Sequence, residues 1–399
     1  MAFSERLGSF SDSVISEMRR LGDQYGAVDL SNGMPDFDPP SQLTEAAVEA
    51  IRSGKNQYSP SRGQRRLREA LALKVKEYNG IDADPDKNIT ITCGSTEAVT
   101  AAVFALTDPS DQVVIADPFY ENYLPDAIIA GCKTTFVPFI GRDLLLDEER
   151  LKKAMAKRPK LIILNTPNNP TGRVLDAKQL KLIADLCEDV GTIAIVDEIY
   201  EHITYDGKRH ISLATIGNMH ERTVTVSGAS KTYSVTGWRV GWAIAEAKLS
   251  AAIQKVHDYL TVCAPTPFQE ALVRALGFPS SYYEKLAKMY DKKRRQVMKF
   301  LDEASLEYYR PEGSYYVLVN APAEFKDAQE FTDHLLRNVG IAVLPANALY
   351  HDKGLGSRKI RIAYCKKDTT LQEAARRLMK LVSKRKVKLA ARTEAGRRL

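Results

Sequence analysis

The sequence has no hydrophobic run of the length that a membrane span needs, and its first residues contain no apolar core of a signal peptide. It has no low-complexity tract and no evident internal repeat. Its five cysteines are scattered and lack CxxC spacing, which argues against a structural metal and for a reducing compartment. We therefore expect a cytoplasmic protein with no membrane partner and no bound metal.

The excess positive charge is concentrated at one end of the chain. The formal net charge is +7, but the residues from Lys384 onward include seven basic residues and one acid, Glu394, and so carry +6. This tail has no interleaved aromatic residues for stacking on bases and is typical of a solvated chain end. A nucleic-acid partner is not expected.

A chain of 399 residues, 44% of them hydrophobic and 27% charged, fits a large globular domain with a smaller one. We expect residues 1–45 to form an N-terminal arm and part of the small domain. Residues 46–283 would form the large domain, residues 284–383 the small C-terminal domain and residues 384–399 the basic tail.

Apolar strand-like runs alternate with helical patterns through the large domain. The run at residues 161–164 is nearly continuous, as in a parallel strand buried on both faces; residues 192–196 form another strand-like run, and residues 223–226 alternate valine with threonine. This alternation predicts an open α/β sheet, in which ligands bind beyond the carboxyl ends of the strands. Several polar and aromatic residues fall at such ends: Gly94, Ser95, Thr96, Tyr120, Asn169, Asp197, Tyr200 and Lys231.

Lys231 lies in a loop of small residues between two strand-like runs, where a lysine is uncommon. Such an amine suits Schiff-base chemistry, because desolvation or a nearby cation leaves part of it unprotonated and nucleophilic. Arg239, eight residues on, could supply that cation or bind an anion. The alternative is an ordinary lysine at the mouth of a loop.

Other candidate residues also have structural alternatives. The strand, glycine turn and helix start at Gly94 and Ser95 form an anion site, although Ser95 could simply cap the helix. Asp197 ends a buried strand, which is costly unless it faces a cation. Tyr58 could be a packing aromatic, and Arg361 could form a surface ion pair.

Three motifs follow strands in a fixed order: Pro-Asn168-Asn169-Pro-Thr-Gly, Asp197-x-x-Tyr200, and Ser230-Lys231 with Arg239. Together they resemble the class I/II aminotransferases, the fold type I enzymes that use pyridoxal 5'-phosphate, over roughly residues 28–382. The resemblance implies a large domain with a mostly parallel seven-stranded sheet sandwiched by helices, and a smaller α+β domain.

The resemblance also implies roles at the cofactor ring. Lys231 would form the internal aldimine, and Asp197 would pair with the pyridine nitrogen so that the ring accepts electrons from the substrate. Asn169 and Tyr200 would hydrogen-bond the phenolic oxygen. Tyr120 would stack on the ring.

Further roles concern the phosphate, the subunits and the substrate. The implied phosphate ligands are Gly94, Ser95, Thr96, Ser230 and Arg239. Tyr58 would reach the phosphate of the other subunit, which implies a homodimer with shared active sites. Arg361 would bind the substrate carboxylate with Gly33 and Asn169.

The implied reaction is a ping-pong transfer of an amino group from an L-amino acid to a 2-oxo acid such as 2-oxoglutarate. Gly228 and Thr96 depart from patterns seen in relatives: Gly228 replaces a phosphate-site serine, for which Ser227 or water could substitute, and Thr96 replaces a lysine of aspartate-specific enzymes. Other segments look nearest to the kynurenine, glutamine and methionine branch. The alternatives are a lyase on the same fold, such as a C–S lyase or an aminocyclopropanecarboxylate synthase, and a non-catalytic regulator whose tail binds nucleic acid.

Overall fold

The computed structural model of the chain describes residues 4–379, so the basic tail at residues 384–399 lies outside the described residues. The strands, in chain order, are β1 (Val28–Asp29), β2 (Ile89–Thr92), β3 (Gln112–Asp117), β4 (Lys133–Ile140), β5 (Leu145–Leu146), β6 (Leu161–Asn165), β7 (Ile193–Asp197), β8 (Thr223–Gly228), β9 (Gly241–Ile244), β10 (Tyr308–Tyr309), β11 (Tyr316–Asn320), β12 (Ile341–Ala342), β13 (Leu344–Pro345) and β14 (Lys359–Ala363).

The helices, in chain order, are α1 (Val14–Gln24), α2 (Ser41–Arg52), α3 (Arg65–Lys74), α4 (Gly94–Leu106), α5 (Tyr123–Ile129), α6 (Glu148–Met155), α7 (Ala177–Val190), α8 (Ala229–Thr232), α9 (Ala247–Thr261), α10 (Thr266–Leu276), α11 (Ser280–Glu303), α12 (Ala328–His334) and α13 (Lys353–Gly356). Residues 368–379 are also helical. No helix among residues 4–379 is both long and apolar enough to cross a membrane.

The bounds of α7 show how local sequence sets an element. The Asp176 carboxylate accepts a hydrogen bond from the Gln179 amide at 2.9 Å, and the Gln179 side chain accepts one from the Asp176 amide at 3.3 Å. This reciprocal pair satisfies amides that have no partner within the helix. Gly191 ends the helix with a φ of 78°, a left-handed conformation that glycine adopts without strain.

The first of two compact units comprises Phe37–Ala287 and Glu312–Ser314 together with the N-terminal residues up to Ser11. Its central sheet has the strand order β2-β9-β8-β7-β6-β3-β4-β5. Strands β4, β3, β6, β7 and β8 run parallel, whereas β9 and β5 are antiparallel to their neighbours. The predicted mostly parallel sheet is confirmed, with the two-residue β5 as an eighth strand at its edge.

The second unit comprises Asp12–Asp36, Lys288–Pro311 and the described residues 315–379. It contains an antiparallel sheet in the order β10-β11-β14-β13 and a parallel pair of β1 with β12. Helix α1 buries Met18 against a small apolar cluster that includes Leu336 and Leu344. This unit is the expected α+β domain.

The division into units differs from the expected domain boundaries in several places. The first unit includes residues 4–11, which the sequence placed with the N-terminal arm, and residues 284–287, which it placed in the small domain. Residues 37–45, which the sequence placed with the N-terminal arm, belong to the first unit. The short segment Glu312–Ser314 also belongs to the first unit, where the amide of Gly313 donates to the carbonyl of Gly172 at 2.8 Å.

Candidate active site

The carboxyl ends of the parallel strands bring several predicted residues to one edge of the large sheet. Asn165 at the end of β6 pairs in register with Asp197 at the end of β7, and Asp197 pairs with Val226 of β8. Because Asn169 follows β6 and Lys231 follows β8, both lie beyond the same edge.

Asp197 is a buried carboxylate held by two donors. The Tyr123 hydroxyl donates to Oδ2 at 2.8 Å, and the Ile199 amide donates to Oδ1 at 3.1 Å. Burial raises the pKa of Asp197 to about 6, while the Tyr123 hydrogen bond and the positive charge of Lys231 act in the opposite direction. The site therefore contains an ionisable carboxylate that a further buried cation would stabilise.

Asn165 and Asn169 are joined to the same strand end by side-chain hydrogen bonds. The Asn165 side-chain amide donates to the Asp197 carbonyl at 2.8 Å, and its oxygen accepts from the Asn169 backbone amide at 2.7 Å. The Asn168 side-chain oxygen accepts from the hydroxyl of Thr171 at 2.7 Å. The turn after β6 is thus held by asparagine side chains, which explains why this motif has so many of them.

Lys231 is half-buried in α8, directly after β8. Just before it, Gly228 lies opposite Gly241 of β9, and a Cβ on Gly228 would lie 3.1 Å from both the Gly241 Cα and the Val240 carbonyl oxygen. This close approach of β8 and β9 favours glycine where relatives have serine. Ser227, considered as a substitute for that hydroxyl, instead donates to Glu201 at 3.0 Å.

A glycine-lined cradle lies at the start of α4. Gly94 has a φ of 83°, and a Cβ there would lie 2.4 Å from a guanidinium nitrogen of Arg239. A Cβ on Gly241 would lie 2.4 Å from the Gly94 carbonyl carbon. Arg239 itself has a φ of 52° and donates to the Thr236 carbonyl at 3.0 Å. The absence of two Cβ atoms therefore lets a cation approach the helix start, as an anion site requires.

The remaining predicted residues of the first unit differ in exposure. Ser95 and Thr96 are half-buried in the first turn of α4, and Ser230 and Tyr200 are buried. The Thr96 hydroxyl hydrogen-bonds Tyr120, and burial raises the pKa of that tyrosine.

Tyr58 is 82% exposed, so it is not a packing aromatic. Its backbone neighbour Gln57 is held by a hydrogen bond of 2.6 Å from the Thr266 hydroxyl to the Gln57 carbonyl. The segment is therefore anchored while the Tyr58 ring faces away from the core.

In the second unit, Arg361 is 0% exposed, so the surface ion-pair alternative is wrong. Its guanidinium lies 4.4 Å from the centre of the Tyr316 ring and donates to the Ser31 carbonyl at 2.5 Å. Gly33 contacts the same tyrosine, because a Cβ there would lie 2.0 Å from the Tyr316 hydroxyl. The Tyr315 hydroxyl donates to the Gly33 carbonyl at 2.9 Å. Arg361 and Gly33 therefore both lie next to Tyr316.

Sequence reasoning missed Tyr123 and a buried polar network that follows Asp197 along the chain. Lys74 forms a 2.6 Å ion pair with Glu201, and Glu198 accepts from His210 at 2.7 Å. Burial alone would raise the pKa of Glu201, but Lys74 lowers it to about 2. Although Glu198, Glu201 and His210 offer atoms within 4.8 Å of one another, the lysine already supplies the positive charge there. In the sequence, the acidic residues that follow Asp197 were the feature that could have indicated this network.

Comparison with known proteins identifies the family of the chain. The sequence model of aminotransferase class I and II matches residues 25–378, and the chain belongs to that family. It is an aminotransferase.

Among its relatives, the chain is 36% identical to the probable N-succinyldiaminopimelate aminotransferase DapC of Mycobacterium tuberculosis, over 95% of this chain and 98% of that protein. It is 35% identical to the methionine aminotransferase of Escherichia coli, over 94% of this chain and 97% of the relative. The structure of the Mycobacterium tuberculosis N-succinyldiaminopimelate aminotransferase superposes with a TM-score of 0.91, covering 94% of this chain and 99% of that one.

Proposed function

We propose that this aminotransferase depends on pyridoxal 5'-phosphate, which it binds between the cradle at Gly94 and the carboxylate of Asp197. When bound, the cofactor supplies an electron sink for the electron pair released at the substrate α-carbon. The glycine cradle with Arg239 supports phosphate binding, since added Cβ atoms would fill it. The observation that carries the proposal is the meeting of Asp197 and Lys231 at one sheet edge.

The cradle would hold the phosphate by charge and by hydrogen bonds. The first amides of α4 have no partner within the helix, and the helix dipole favours an anion there. Arg239 adds a full positive charge beside Gly94. The hydroxyls of Ser95, Thr96 and Ser230 complete the proposed set of donors.

Asp197 would hold the ring nitrogen in its protonated form. Tyr123 and the Ile199 amide orient the two carboxylate oxygens, so the carboxylate is preorganised. Asn169 and Tyr200 would donate to the phenolic oxygen at the other side of the ring. Tyr120 would lie against the ring face.

Lys231 would hold the cofactor covalently until the substrate amine displaces it, and its freed Nζ would then act as a general base that takes the proton from the substrate α-carbon. Its half-buried position limits its hydration without excluding the substrate.

Arg361 would bind the substrate α-carboxylate, with the Gly33 amide as a second donor. Its complete burial and its cation–π contact with Tyr316 hold the guanidinium in one orientation. We expect Arg361→Leu to raise the KM for the amino acid by roughly 100-fold and to leave cofactor binding unchanged. Arg361→Lys keeps the charge but loses the forked geometry of the guanidinium, so its KM for the amino acid should lie between those of the native protein and Arg361→Leu. An unchanged KM in both variants would remove Arg361 from the substrate site.

We propose a broad range of L-amino acid donors, with aromatic or neutral side chains or with the side chains of aspartate and glutamate, and 2-oxoglutarate or another 2-oxo acid as acceptor. Support comes from relatives named for N-succinyldiaminopimelate, methionine and kynurenine. Thr96 provides no cation for a distal carboxylate, so we expect neutral and aromatic donors to react faster.

A panel of amino acids incubated with the purified protein, the cofactor and 2-oxoglutarate tests the function. We expect glutamate to form in equal amount to the donor's oxo acid. Ammonia or thiol release without glutamate would instead identify a lyase.

We further propose a cytoplasmic homodimer with shared sites. Exposed apolar side chains near the cradle support it: Tyr58 is 82% exposed, Tyr259 is 88% exposed, and Leu260 and Val262 are also exposed. The scattered cysteines, which lack CxxC spacing, fit a reducing compartment.

A subunit-mixing experiment tests the shared site. Lys231→Ala and Tyr58→Ala should each be impaired, and mixed dimers should regain activity because one of their two sites contains only native residues. No recovery, despite subunit exchange detected by mass spectrometry, would place Tyr58 in the site of its own subunit.

A further inference from the structure

A buried histidine and glutamate lie beside the cradle. Glu97 is in the first turn of α4 and His257 is in α9, and the two helices pack together. His257 Nδ1 lies 2.6 Å from Glu97 Oε1, with side chains 0% and 10% exposed. Glu97 Oε2 also accepts from the Cys93 amide at 2.6 Å. The glutamate thus caps the residue that precedes Gly94.

The partners of the imidazole determine its protonation. His257 Nε2 lies 2.9 Å from the Ser61 carbonyl, which can only accept, so Nε2 carries a proton. Nδ1 faces Glu97 Oε1 at 2.6 Å and the Thr261 hydroxyl at 3.1 Å, and both oxygens can accept its proton. Because the other Glu97 oxygen accepts from the Cys93 amide, the network favours an ionised carboxylate facing an imidazolium.

This pair matters for an anion at the helix start. An unpaired carboxylate in the first turn of α4 would repel a phosphate at Gly94, and burial would strengthen the repulsion. The imidazolium cancels that charge. Through Ser61 it also holds the loop that contains Tyr58, so one side chain joins two segments of the proposed phosphate site.

We propose that the His257–Glu97 ion pair is a positioning pair that makes the cradle selective for a phosphorylated cofactor. This inference rests on the proposed function, because it presupposes that the cradle binds the phosphate of pyridoxal 5'-phosphate. It assigns to His257 the removal of a repulsive charge, and to Glu97 the orientation of the helix start.

The test compares the affinities of the apoprotein for pyridoxal 5'-phosphate and for pyridoxal, which lacks the phosphate. His257→Gln leaves Glu97 unpaired and should weaken pyridoxal 5'-phosphate binding roughly tenfold or more, with pyridoxal binding nearly unchanged. The double variant Glu97→Gln with His257→Gln has no unpaired charge and should recover most of the affinity for pyridoxal 5'-phosphate that His257→Gln loses. Glu97→Gln alone, a neutral isostere, should stay near the native affinity ratio.

Each outcome decides a different point. The charge-cancelling role of His257 would be overturned by an equal loss of affinity for both ligands in His257→Gln, by no loss of affinity for either ligand, or by no recovery of affinity in the double variant. A native protein that binds neither ligand would instead refute the proposed function. If His257→Gln does not fold, the ¹⁵N signals of the His257 ring in the native holoenzyme decide: two protonated nitrogens at neutral pH are expected, and a neutral ring would overturn the inference.

Discussion

The two ends of the proposed cofactor site, the cradle at Gly94 and the carboxylate of Asp197, differ in the groups that form them. The cradle depends on two glycines that lack a Cβ: Gly94 leaves room for the exposed Arg239, and Gly241 leaves room for the backbone of Gly94 and Ser95. At the other end, a buried carboxylate, Asp197, is fixed by a tyrosine and an amide. The contrast suits the two ligand groups, since a phosphate keeps its charge at neutral pH, whereas a ring nitrogen needs a buried partner to stay protonated.

The two ends should therefore respond differently to mutation and to pH. Changes at Asp197 should affect the chemistry and should depend on pH. Changes at the cradle should mainly affect how tightly the cofactor binds.

Lys231→Ala should have the largest effect, because it removes the group that acts between the two ends. We expect turnover to fall on the order of 10⁴-fold or more while the fold is retained. Steady-state assays with circular dichroism measure both. Lys255→Ala, at an exposed position of α9, is the matched control and should behave as native. Comparable activity in both variants would remove Lys231 from the chemistry.

Asp197→Asn should lower turnover roughly 10²–10³-fold, because a neutral amide cannot stabilise a protonated ring nitrogen. It should also stabilise the apoprotein. Burial raises the pKa of Asp197 to about 6, so the folded state holds this proton more tightly than the unfolded state, and the stabilisation is lost as pH rises through 6.

At pH 8 the asparagine variant should therefore exceed the native apoprotein in free energy of unfolding by roughly 2–3 kcal/mol. The gain should vanish near pH 4. Denaturant titration at several pH values measures it, and a gain that is independent of pH would contradict a buried ionised carboxylate.

Gly94→Ala should weaken cofactor binding roughly tenfold, because the new Cβ meets the Arg239 guanidinium. Gly141→Ala is the control: its φ of 75° carries the same backbone strain, but open space surrounds its Cβ. Both variants should lose similar stability in thermal unfolding. Only the first should lose affinity in a fluorescence titration with the cofactor, and equal affinity in both would mean that the cradle is not the phosphate site.

Tyr123→Phe should have the smallest effect at neutral pH, a few-fold loss of turnover. The lost hydrogen bond normally lowers the pKa of Asp197, so the fall in cofactor affinity on the acid side of the pH profile should begin at a higher pH. Tyr233→Phe removes another buried hydroxyl, which lies 2.9 Å from that of Tyr283. This control should leave the pH dependence of cofactor binding unchanged. Identical profiles for the two variants would refute the role of Tyr123.

Much of the fold follows from the sequence because buried parallel strands have nearly continuous apolar runs. Strands β6 and β7 are such runs, whereas β8 alternates valine with threonine, and the turn motifs after all three strands mark one edge of the sheet. Strand β4 was missed, since it contains lysine, two threonines and a proline and has several half-buried positions. A mixed pattern of this kind does not distinguish a strand from a loop.

The parts of the site that the sequence did not predict depend on long-range contacts. Tyr123 reaches Asp197 across 74 positions, and His257 reaches Glu97 across 160. No local spacing indicates such pairs. Lys231, Asp197 and Asn169 were predicted because each lies next to a strand end with its own motif.

Reduction of the holoprotein with borohydride, followed by peptide mapping, tests the central claim most directly. We expect the pyridoxyl group to be attached to Lys231. We also expect inorganic phosphate, added to the apoprotein before the cofactor, to slow this labelling because the two compete at the cradle. Attachment to any other lysine would contradict the central claim.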